Sequence, residues 1–159
     1  MTVESLISLK LFFALTAAHF CGDVLAYSSF LARTKRSNSA FAKFLGIGIH
    51  VTVHGCFVYL WLWFFQVENR ALAVSFVVTT HFLIDWSRIL VETKWFDAEN
   101  VRILTRREVF RWLTHRRGNS REIPFFTENH LRKWILVNAG DQALHLLAII
   151  MLTCALARA

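Results

Sequence analysis

Four long apolar runs, over about residues 5–31, 41–67, 71–92 and 131–156, leave this 159-residue chain few folds to choose from. A helix needs about 20 mostly apolar residues to cross the hydrocarbon core of a bilayer, and each run is that long. In lipid every backbone N–H and C=O has to be satisfied within its own segment, so the runs are expected to be helices. The expected fold is all-α: a single integral membrane domain over 1–159, built as a polytopic four-helix bundle. A hydrophobic content of 55% beside one Pro and six Gly fits that reading better than a soluble domain of this size.

The charges lie between the runs. Arg33, Lys35, Arg36 and Lys43 separate the first from the second, and ten Lys and Arg from Lys94 to Lys133 separate the third from the fourth. The second connection has only Glu68 and Arg70 as charged residues and reads as a tight turn over Glu68–Arg70. Basic loops stay in the cytoplasm, which places the first and third connections there and both termini outside it. That distribution accounts for the formal charge of +7 without nucleic acid as a partner. The first run has no basic start and contains His19 and Asp23, so it reads as a retained helix and not a cleaved signal. Cys21, Cys56 and Cys154 fall in separate runs without C-x-x-C spacing, and read as small buried residues.

The cytoplasmic segment, about 94–130, has a helix signature of its own. Thr105 and Glu108 match a capping box, and Val109, Phe110 and Leu113 follow at helical spacing. Arg106, Arg107, Arg111 and Arg117 surround that stripe, which predicts a short basic amphipathic helix on the membrane surface, in contact with anionic lipid. Trp61, Trp63 and Phe65 at the end of the second run suit an interfacial aromatic belt.

Each run carries one pair of His or Asp residues four positions apart: His19 and Asp23, His50 and His54, His81 and Asp85, Asp141 and His145. Residues at i and i+4 share a helix face, so each pair offers two potential ligands in one direction. Counted from the cytoplasmic end of each run, Asp23, His50, Asp85 and Asp141 lie eight residues in, and His19, His54, His81 and His145 lie twelve. At 1.5 Å per residue these are layers roughly 12 and 18 Å deep. An Asp inside a bilayer costs on the order of 2.5–3.5 kcal/mol, so three of them need compensation. Two divalent metals, three carboxylates and one hydroxide sum to zero charge. Five imidazoles and three carboxylates, without thiolate, suit zinc first, with iron or manganese as alternatives, and two or more ions are expected. Asn138 and Gln142 flank Asp141 as donors behind the ligands. A proton relay without metal, a hydrogen-bonded core and bis-histidine haem ligation are the competing readings of the same residues.

The set His-x-x-x-Asp, His-x-x-x-His, His-Phe-Leu-Ile-Asp and Asp-Gln-x-Leu-His, in this order, resembles an uncharacterised bacterial family of small inner-membrane proteins, catalogued as a domain of unknown function. The resemblance covers the whole chain and implies a place in the bacterial inner membrane. More remotely, the pattern is similar to membrane-bound metal-dependent hydrolases and to the helical zinc phospholipase C and nuclease group. That similarity implies hydrolysis by a metal-bound water; a site nearer the cytoplasmic face and a basic interfacial helix that attracts anionic head groups suit a phosphoester of a lipid or isoprenoid as substrate. The alternatives are a metal or proton transport or sensing protein, and a structural subunit with a stabilising metal; self-association is compatible with all three. Beyond the His layer the polar residues are few (Ser8, Thr16, Ser75, Thr79, Thr80 and Thr153), so a site open on one side is expected.

Overall fold

The structure, a computed structural model, describes residues 3–25, 28–96 and 128–157. It is helical, with no strand among the described residues. The helices are α1 (Val3–Leu25), α2 (Ser29–Lys35), α3 (Ala40–Phe64), α4 (Arg70–Trp95) and α5 (Glu128–Leu156). Three of them are long and apolar enough to cross a membrane, over Ala40–Phe64, Arg70–Trp95 and Arg132–Leu156, which marks a membrane protein by length and composition. Phe13, Phe20, Phe41, Phe64, Leu72 and Leu136 are each more than half exposed, a surface that water disfavours and lipid accepts. The basic amphipathic helix expected around Arg106, Arg107, Arg111 and Arg117 lies outside the described residues.

The first run does not continue as one helix to residue 31. Helix α1 is described as far as Leu25, and Ser28 starts a new helix: its backbone is extended and its side chain accepts the Leu31 N–H at 3.0 Å. A serine at this position satisfies one of the N–H groups a helix start leaves unpaired. Ser39 repeats the device for α3, accepting the Ala42 N–H at 3.4 Å. The segment expected to be a polar loop therefore contains the short helix α2, with Lys35 as its last residue and Arg36 as its C-cap. Helix α2 packs on α3. The approach requires Gly46, where a Cβ would come within 2.8 Å of the Lys35 backbone nitrogen.

The turn between α3 and α4 begins earlier than expected. The Val67 N–H reaches the Leu62 carbonyl and the Gln66 N–H reaches the Trp63 carbonyl, both at 3.0 Å, with Gln66 left-handed at φ 54°. That pair of bonds is a Schellman closure, and it satisfies carbonyls that a helix end leaves open. Asn69, also left-handed, then precedes α4. Helix α1 packs on α3, α3 on α4, α4 on α5 and α5 on α1. One end of their shared interior is apolar: Leu11, Leu15 and Ala18 of α1 meet Val58 and Leu62 of α3, Ala73 of α4, and Ile149 and Leu152 of α5.

Candidate metal centre

Next to that apolar end the interior turns polar. His19, His54, His81 and His145, one from each long helix, form a layer of touching rings. The His81 centroid lies 4.1 Å from that of His54, 4.1 Å from His145 and 5.2 Å from His19. The helices bring these rings together because each holds its histidine at a matching height, and Gly22 gives His54 room. A Cβ on Gly22 would fall 2.5 Å from His54 Nδ1. Gly22→Ala is therefore expected to displace the ring and destabilise the fold by about 1–3 kcal/mol, the range for overpacking, with weaker metal retention; thermal melts and metal content in detergent check both.

The second layer is less uniform. Asp23 Oδ1 lies 3.3 Å from His54 Nε2 and 3.6 Å from His50 Nε2, and its Oδ2 lies 3.5 Å from His19 Nε2. Asp85 Oδ2 lies 3.8 Å from His50 Nε2, and Asp85 Oδ1 lies 4.0 Å from His81 Nε2. Two groups of potential ligands result, in each of which one ligand atom per residue lies within 4.8 Å of the others: Asp23, His50, His54 and His81, and then His81, Asp85 and His145. His81 belongs to both. Asp141 belongs to neither: its Oδ2 accepts from Arg88 at 2.9 Å and from the Gln142 amide at 3.2 Å. Asn138 reaches Asp141 only through Arg88, which donates to Asn138 Oδ1 at 2.8 Å.

The donor set fits a metal on observations of this structure. His19 Nε2, both ring nitrogens of His54 and His145 Nε2 are buried and make no hydrogen bond. Such atoms are costly unless something coordinates or solvates them. His145 Nδ1 sits 2.9 Å from the Asp141 carbonyl oxygen of its own helix. As a donor there it leaves Nε2 with a free lone pair. Beside the rings, a cavity of about 20 Å³ lined by the four histidines and by Leu15, Val58 and Ile149 has room for one water.

Four charged residues of the site went unrecognised in the sequence. Lys35 Nζ donates to Asp85 Oδ2 at 2.6 Å. Arg88 Nε donates to Glu92 Oε1 at 2.9 Å, and Arg36 donates to both Glu92 oxygens, at 2.8 and 3.1 Å. Glu92 is only 4% exposed and shares Arg88 with Asp141. A signal for α4 existed: His81, Asp85, Arg88 and Glu92 follow at spacings of four, three and four, a single helix face. Burial pushes the Lys35 ammonium below its usual range, and Asp85 opposes that shift. With Lys35 on Asp85 and Arg88 on Asp141, two of the three aspartates have protein cations as partners. Asp23 has only imidazoles within ion-pair reach among the described residues.

A family model described as Protein of unknown function (DUF3307) matches residues 11–158. No curated protein and no solved structure matches.

Proposed function

The chain belongs to that DUF3307 family, whose description assigns no activity, and from the site itself we propose a membrane-embedded metal-dependent hydrolase acting on a phosphoester of a lipid or isoprenoid at the cytoplasmic leaflet. The observation that carries this is the group Asp23, His50, His54 and His81, with its potential ligand atoms within 4.8 Å of one another, beside buried imidazole nitrogens that lack partners. These residues would hold a divalent metal, zinc first, which would lower the pKa of a bound water toward neutrality. In hydrolysis the oxygen of water bonds to phosphorus, the bond from phosphorus to the ester oxygen breaks, and the departing alcohol gains a proton. His19 is placed to orient Asp23 through its second oxygen, and Gln142 and Arg88 hold Asp141.

In this reading α1 is a fourth span: its 23 residues reach about 35 Å at 1.5 Å per residue. The four long helices then form an antiparallel bundle in the bacterial inner membrane, with both termini outside the cytoplasm and the basic segment 94–130 at the anionic leaflet. Among the described residues, polar groups continue from the His layer toward α2, through Asp85, Lys35, Arg88, Arg36 and Glu92. On the other side the apolar cluster of Leu11, Leu15, Val58, Leu62 and Leu152 closes the interior. The Thr16, Thr80 and Thr153 hydroxyls there donate to carbonyls of their own helices and offer no path. A one-sided chamber favours a reaction over conduction.

The test is phosphate release from a long-chain alkyl phosphate and a prenyl phosphate in mixed micelles. Release is expected from detergent-purified protein, to be lost after chelation, restored by Zn²⁺, and absent in His54→Ala. Metal-loaded protein that releases no phosphate from either would reject the hydrolase, and zinc flux into proteoliposomes would replace it with a conduit.

A further inference from the structure

Two ligand groups sharing His81 invite the assumption of two metals, yet the second group already holds a cation. The Lys35 ammonium lies 2.6 Å from Asp85 Oδ2, and Asp85 is the only carboxylate of the group His81, Asp85 and His145. This lysine does not drift at a surface. Its backbone is pressed onto α3 at Gly46, and the next residue, Arg36, is pinned to buried Glu92 of α4 by two hydrogen bonds. A second divalent ion on Asp85 would meet both a neutralised carboxylate and a positive charge a few ångströms away, a repulsion that low dielectric strengthens.

The charges of the interior agree. Among the described residues, Asp23, Asp85, Glu92 and Asp141 are opposed by Lys35, Arg36 and Arg88, and each of these cations is paired with a carboxylate other than Asp23. One negative charge is left, and it sits in the group Asp23, His50, His54 and His81. A single divalent ion, Asp23 and one hydroxide sum to zero. A second divalent ion would leave the interior two charges positive.

We propose that Lys35 is the built-in second cation of the centre, so that the chain binds one divalent metal, among Asp23, His50, His54 and His81, and keeps the group His81, Asp85 and His145 free of metal. This rests on the metal reading above, though not on the hydrolase. It assigns α2 a purpose: it delivers an ammonium into a metal centre from outside the long helices.

The test is stoichiometry, read without any activity. Full-length protein in detergent is titrated with Zn²⁺ against a chromogenic chelator, then gel-filtered and analysed by elemental mass spectrometry. The wild type is expected to saturate at one equivalent. Lys35→Met, which removes the charge and frees Asp85, is expected to saturate at two, whereas Lys35→Arg stays at one. Two equivalents in the wild type, or one in a folded Lys35→Met, overturns the proposal while the metal site stands. No metal in the wild type removes the metal reading, and this proposal falls with it. If Lys35→Met does not fold, as judged by circular dichroism and gel filtration, Lys35→Gln replaces it with the same expectation, because it keeps a donor to Asp85 without the charge.

Discussion

Protein carrying His81→Ala is expected to leave purification without metal, with zinc affinity reduced by more than ~100-fold, since losses behind the ligands alone cost about 10–100-fold. His81 is the one residue common to both ligand groups, and it is 2% exposed. Its ring touches those of His54, His145, His19 and His50. The alanine variant thus loses a ligand and leaves a gap at the middle of the layer. His145→Ala is the informative contrast. It belongs only to the group that Lys35 occupies, and it should keep one equivalent. Elemental analysis of the two variants beside wild type decides the matter: full loading in His81→Ala would reject the centre as assigned.

The largest effect on stability should come from Arg88→Met. Arg88 donates to Glu92, Asp141 and Asn138 at once, tying the last turns of α4 to α5, and Arg36 joins α2 to the same glutamate. Methionine fills a similar volume but leaves Asp141, 5% exposed, without its cation and Glu92 with only one. Removing one partner of a buried pair costs on the order of 3–5 kcal/mol, because the remaining charge stays desolvated. Thermal unfolding in detergent should show a clear drop in Tm for Arg88→Met and a smaller one for Arg88→Lys, which keeps the charge but lacks the planar fork. An unchanged Tm in Arg88→Met would mean that the network contributes little, and that Asp141 tolerates its surroundings unaided.

These two expectations draw on different kinds of information. The prominence of His81 was legible in the sequence, as part of four pairs with one spacing at one depth. The importance of Arg88 was not. Neither was the break at Ser28 that turns an expected loop into α2, although serine at a helix start is a local signal. The basic segment around Arg106 and Arg111, prominent in the sequence, falls outside the described residues.

What the sequence by itself determined is what depends on local periodicity. Run length and apolarity determine helices, the i, i+4 spacing puts each ligand pair on one face, and a constant rise per residue levels the histidines from four helices into one layer. What only the tertiary structure decided is which charge meets which. Lys35 and Asp85 are 50 residues apart, Arg88 and Asp141 are 53, and Arg36 and Glu92 are 56. Whether such residues meet depends on how each helix is rotated about its axis and on α2 folding back onto α3, and no spacing within a single helix encodes that. The physical consequence is specific: Asp85 and Asp141 receive protein cations, and Asp23 is left to imidazoles.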